Sequence, residues 1–225
     1  MSKCYTKSIQ CAKCWNPIKR KIWRVFTADE NQEFIDLIRN HKFFNCTCKN
    51  CWDEFDAWRY PLTYENRKKN FIIKYVEKIS FLKFENLTSK EDKILFDKNK
   101  YKTIRLVKWY REFIDKIWIF EDWFYDTYME TLKLFLIFQL YWEPDKINNI
   151  YYLGTQNNVI EFEIVWRWWS DLKRIPIDEY NKLLHLYDFR INNWEFTEVS
   201  RFNVSNYTKI LDREESKKPL NIKVL

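Results

Sequence analysis

"CAKCW" at residues 11–15 and "CKNCW" at 48–52 are the only C-x-x-C units in this 225-residue chain, and their pairing decides what the N-terminal region can become. A C-x-x-C turn brings two thiolates to one side of a tight loop whose amides point at the sulfurs, and structural zinc takes four such ligands in a tetrahedron. Cys11, Cys14, Cys48 and Cys51 therefore form a candidate Cys4 zinc site, with residues 15–47 between the pairs. Cys46, in "CTC", is an alternative to Cys48, and Cys4 is an outlying thiol. Reduced buried cysteines and disulfides are the competing readings. The N-terminus "MSKCYTKSIQ" has neither the apolar stretch of a secretory signal nor the amphipathic pattern of an import signal, which disfavours disulfides. Four thiolates with no open position imply a structural ion and not a catalytic one.

Between the pairs, "NPIKRKIWRVF" predicts a basic strand. "TADENQEFIDLIRN" predicts a helix over about 28–40, with Thr27 and Glu30 as a capping box and Phe34, Ile35 and Ile38 on one face. "WDEFD", just past the second pair, reads as the acidic first turn of another helix. Over residues 8–58 this arrangement resembles a zinc ribbon or treble clef, with Trp15 and Trp52 where glycine often follows the second cysteine.

Beyond residue 60 the pattern predicts a mostly helical middle, 62–142. "ENRKKNFIIKYVEKI" reads as a basic amphipathic helix. Ile104, Val107, Tyr110, Phe113, Ile114, Ile117 and Trp118 recur at three-and-four spacing, and "DTYMETLKLFLIFQLYW" continues as a buried helix ended by Pro144. In "NNIYYLGTQNNVIEFEIVWRWW" turn residues separate two β-rich runs, the second alternating from Ile160 to Trp168, so a hairpin is expected. "IDEYNKLLHLYDF" returns to helix, "NNWEFTEVSRFNV" to extended chain, and "DREESKKPLNIKVL" to a polar tail. The expected fold class is α+β: a zinc module over 1–60, a helical and α+β body over 61–211, and an extended tail over 212–225.

Thirty-nine Lys and Arg against 32 Asp and Glu give a formal charge of +7, which favours polyanionic partners. The most apolar run, Leu132–Trp142, is far shorter than the about 20 residues of a membrane span. The only glycine, Gly154, cannot build a phosphate-cradling loop, a dinucleotide fingerprint or a G-x-S-x-G elbow, so no small-molecule substrate is expected. Glycine and alanine, with GC-rich codons, are scarce, while Phe, Tyr, Ile, Asn and Lys abound. Twelve tryptophans in such a chain make sense if UGA is read as Trp. In this style the chain resembles a mitochondrially encoded protist protein, ciliate-like, with no specific family motif.

Catalytic constellations are weak, and no catalytic residue is assigned. Zinc-stapled HNH nucleases need several histidines, and the chain has only His41 and His185. Glu161 and Glu163 read as the wet face of a strand, and "WRWW" at 166–169 as core or interface. The basic segments are better candidates: Lys19, Arg20, Lys21 and Arg24 after the first pair, and Arg67, Lys68 and Lys69 opening the next element, to contact RNA phosphates. The expected protein is a non-enzymatic, zinc-containing structural component of a mitochondrial ribosome. It would lie in the matrix, organelle-encoded, against ribosomal RNA and ribosomal proteins. A soluble accessory subunit of a respiratory complex is one alternative; a zinc-containing DNA-binding protein or degenerate endonuclease of a phage or mobile element is another.

Overall fold

A computed structural model describes residues 2–30, 32–40, 42–56, 62–75, 103–107, 109–140 and 147–191. The chain divides into two compact units, Met1–Ile114 and Asp115–Leu225.

In the first unit, β1 (Lys3–Gln10) and β2 (Pro17–Thr27) form an antiparallel hairpin. A single turn of 3-10 helix, Ala28–Glu30, leads to α1 (Gln32–Arg39), and β3 (Asn45–Thr47) pairs with β4 (Glu54–Asp56). The far end of β2 pairs in parallel with β5 (Leu62–Asn66); β5 is antiparallel to β6 (Phe71–Tyr75), and β6 parallel to β7 (Thr103–Val107). The hairpin tip is largely exposed, whereas β2 becomes buried over Val25–Thr27, where it enters the sheet between β1 and β5. Phe26, Tyr64 and Phe71 stack in series at 5.6 and 5.8 Å, a core built on flat ring faces.

The expected basic strand is β2, but three neighbouring expectations are corrected. The stretch "ENRKKNFIIKYVEKI" is, as far as it is described, a β5–β6 hairpin whose Arg67–Asn70 turn closes with Asn70 at a φ of 59°. Its apolar spacing fits a helix face as well as a strand buried on both sides, and β6 is buried at every residue. Ile104 and Val107 lie in β7, and only from Tyr110 does the periodic run become helix. "WDEFD" leads into β4 and not into a helix. The Thr27 hydroxyl donates to buried Glu65 at 3.0 Å, and the Glu30 carboxylate accepts from the Ser2 amide at 3.0 Å. The β2–β5 pairing puts the cysteine hairpin and β5–β7 in one sheet.

The chain passes into the second unit within α2 (Tyr110–Glu121), followed by α3 (Asp126–Leu140). Strands β8 (Ile147–Gln156), β9 (Val159–Trp166) and β10 (Ser170–Pro176) make an antiparallel meander, and α4 (Ile177–Ile191) follows. The expected hairpin is thus present and gains a third strand, and the expected helix after it is α4. Asn157 and Asn158, at φ 51° and 61°, form the two-residue loop of the mirror-image type that matches strand twist. Gly154, at φ 147°, sits at an irregularity in the β8 register. Tyr128, Leu132, Tyr152, Phe162, Ile164 and Leu183 are central in the core of this unit. The alternation of β9 places Ile160, Phe162 and Ile164 in that core and leaves Glu161 and Glu163 partly exposed. The expected tail over 212–225, the extended "NNWEFTEVSRFNV" and Pro144 lie outside the described residues.

Candidate metal centre

Each C-x-x-C unit is a turn between two antiparallel strands. Cys11 and Cys14 occupy the β1–β2 loop, and Cys48 and Cys51 the β3–β4 loop. The loops close by the same pattern. The Cys11 amide donates to the Asn16 carbonyl and the Trp15 amide to the Cys11 carbonyl, both at 3.0 Å. In the second loop the Cys48 amide donates to the Asp53 carbonyl at 2.9 Å, and the Trp52 amide to the Cys48 carbonyl at 2.8 Å. Trp15 and Trp52 take φ of 60° and 57°, the left-handed conformation such a turn needs after its second cysteine. The replacement of glycine therefore leaves the knuckle backbone intact.

The two turns face each other. Cys11 and Cys51 Sγ are 3.6 Å apart, as are Cys14 and Cys48 Sγ, and all four sulfurs lie within 4.8 Å of one another. An ion in a tetrahedron of thiolates at about 2.3 Å separates its sulfurs by about 3.8 Å, so the four fit a single metal. Cys11 and Cys48 are buried and Cys14 and Cys51 half-buried. The Cys14 thiol is drawn down to about 6, first by the Asn16 backbone amide and then by the Asn50 side chain. At Cys51 the Asp53 amide lowers the value, but burial and the three neighbouring thiols outweigh it and push Cys51 up to about 12. Such opposition between Cys14 and Cys51 goes with the crowding of thiols in one cluster. A divalent cation removes it by letting all four ionise.

The expected ligands are thus brought together, and Cys46 and Cys4 are left out of the cluster. Cys46 faces Arg20, whose guanidinium donates to Cys46 Sγ and to the carbonyls of Phe43 and Phe44. Cys4 is exposed on β1. Arg20 is therefore a strut that ties β2 to the strand entering the second knuckle. Strand alternation puts Lys19 and Lys21 on one face of the hairpin and Arg20 and Arg24 on the other. Lys21 Nζ lies 4.4 Å from the Trp23 ring centroid, and Arg24 stacks on Tyr5 at 5.2 Å. Arg67 is also engaged: it holds Glu65 through two nitrogens at 3.0 and 3.1 Å, and Glu65 keeps its guanidinium charged by raising its pKa. Lys68 and Lys69 lie in the β5–β6 turn, Lys68 exposed and Lys69 half-buried. His185 is exposed on α4, and His41 lies outside the described residues.

One constellation escaped the sequence reading. In the second unit, Lys133 Nζ meets Asp115 at 2.6 Å and Glu130 at 2.9 Å, and Lys116 Nζ meets Glu130 at 2.7 Å and Asp126 at 3.6 Å, all five side chains buried. The signal was present as Asp126, Glu130 and Lys133, one stripe on the otherwise apolar α3, but such a stripe reads first as a wet face.

Paired knuckles closing a four-thiol cluster define a cysteine module that could hold a metal ion. A family model described as CpXC protein matches residues 9–133, more than half of the chain and including both knuckles, and the chain belongs to that family. No curated protein and no solved structure matches it. Among the described residues, no helix is long and apolar enough to cross a membrane.

Proposed function

We propose that this chain is a structural, non-catalytic zinc protein that docks on RNA through the β1–β2 hairpin, with a mitochondrial ribosome as the assembly and its matrix as the compartment. One arrangement supports the reading: the four-thiol cluster lies at the tip of a hairpin that presents exposed Lys19 and Lys21 side by side on one face. A metal at the tip would hold that face rigid, so phosphate contacts would form at low entropic cost. Cys11, Cys14, Cys48 and Cys51 would hold the ion. Zinc is preferred because four thiolates leave no position open for substrate and a structural site needs no redox change. Arg20 and Arg67 are occupied within the fold, which narrows the RNA contacts to Lys19, Lys21 and Lys68, with Arg24 and Lys69 secondary.

The test is sedimentation of the native protein with and without RNase, together with metal analysis of protein prepared without chelator. The expected result is one zinc per chain in an RNase-sensitive particle. Changing Lys19 and Lys21 to Gln should lower the slope of log affinity against log salt by about 2 in magnitude. A red, iron-loaded protein refutes zinc. A particle indifferent to RNase that fractionates with inner-membrane complexes replaces the RNA reading with the respiratory accessory subunit, and retention on duplex DNA alone replaces it with the mobile-element protein.

A further inference from the structure

Among the described residues six non-glycine positions have φ between 51° and 65°: Asn70, Asn157 and Asn158, and Trp15, Trp52 and Trp123. Asparagine is the usual non-glycine occupant of this region; a bulky aromatic is not. All three tryptophans stand where a named backbone motif calls for glycine. Trp15 and Trp52 follow the second cysteine of the two knuckles, with identical hydrogen bonding. Trp123 ends α2: the Phe124 amide donates to the Ile119 carbonyl at 2.9 Å and the Trp123 amide to the Phe120 carbonyl at 3.1 Å. These are the two bonds of a Schellman cap, in which the left-handed residue is usually glycine.

Trp15, Trp52 and Trp123 are 70, 77 and 74% exposed, so little burial offsets the backbone cost. Trp23 and Trp118 differ on both counts: their φ is ordinary and they are half-buried, Trp118 against the core of the second unit. A chain with one glycine and twelve tryptophans thus puts tryptophan at three separate glycine positions. The codons UGA and GGA differ in one base.

We propose that the codons for positions 15, 52 and 123 are UGA, that the cell reads UGA there as glycine, and that the polypeptide made in its own cell carries glycine at these three positions. The proposal does not rest on the RNA reading. It competes with the mitochondrial compartment proposed above, which UGA read as tryptophan would support, and leaves the metal site and the Lys19–Lys21 face untouched.

The test has two arms. The first is the gene sequence at the three codons, with mass spectrometry of peptides from the native protein spanning Cys14–Lys19, Asn50–Arg59 and Ile117–Lys133. UGA with glycine in the peptides is expected; UGG codons, or tryptophan in the peptides, overturn the proposal. In the second arm, the chain made with tryptophan is compared with Trp15→Gly, Trp52→Gly and Trp123→Gly. Each should raise the thermal midpoint by about 2–4 °C, and Trp118→Gly should lower it. A fall in all three sinks the strain argument even if the peptides carry glycine.

Discussion

Arg20 shows how one residue changes meaning between sequence and structure. In "KRKIWR" it is one cation among several, yet its guanidinium satisfies the carbonyls of Phe43 and Phe44 and touches Cys46. Arg20→Gln would leave these acceptors short of a charged donor and should cost about 1–3 kcal/mol, read as a lower urea midpoint and faster metal loss to a chelator. Lys19→Gln, one residue away on the other face, should leave both unchanged. If the two variants behave alike, the strut role is wrong. The four clustered thiols are the opposite case, legible at once because C-x-x-C encodes its own turn. Cys14→Ser should abolish stoichiometric metal, measured by elemental analysis of the purified variant.

At the scale of the element, the pair α2 and α3 carries a buried network of ion pairs. Three carboxylates, Asp115, Asp126 and Glu130, share two lysines, Lys116 and Lys133, in a buried setting. Asp115 Oδ1 also accepts the Tyr152 amide at 2.6 Å, which ties the network to β8. Removing one member leaves the others charged and unpaired, so Lys133→Met should destabilise by about 3–5 kcal/mol in urea denaturation. Arg174→Met, which breaks the exposed pair with Glu161, should cost at most about 1 kcal/mol. The network also sets an acid limb. Burial pushes Glu130 up, but Lys116 and Lys133 pull harder and hold it below its ordinary 4.5. A carboxylate depressed in the folded state gives stability that is whole above its unfolded value and is lost as pH falls through the folded one. Thermal midpoints should therefore drop below pH 4.5, and the drop should shrink in Glu130→Gln relative to its own neutral-pH value. At Asp115 burial outweighs the pull of Lys133 and Lys116 and, with Glu130 beside it, raises the carboxyl above its ordinary value.

For the whole molecule, one core cluster among the described residues lies wholly within Asp115–Leu225. The cluster around Tyr128, Leu132 and Phe162 includes no residue of the cysteine unit. Metal binding by ligands that are scattered in the unfolded chain is folding free energy for the unit that carries them. Chelation should therefore raise amide exchange across Lys3–Thr47 while β8, β9 and α3 keep their protection, as read by hydrogen-exchange mass spectrometry. Simultaneous loss of protection in both units would mean that the metal stabilises the chain as one cooperative block.

By itself the sequence determined what short stretches encode: the two knuckles and their four thiols, the β2 strand, the β8–β9 hairpin, and helices α3 and α4. Each depends on contacts within a few residues, or on a periodicity that only one structure satisfies. Only the tertiary structure decided that "FIIKY" is a strand, because its parallel partner β7 lies far along the chain and a wholly buried strand shows no alternation. It likewise decided where Arg20 points, and that the charged stripe of α3 faces inward, since both depend on acceptors brought by other elements. The αL backbone at Trp15, Trp52 and Trp123 belongs to the same class: hydrogen bonds impose it on the chain whatever residue is written there.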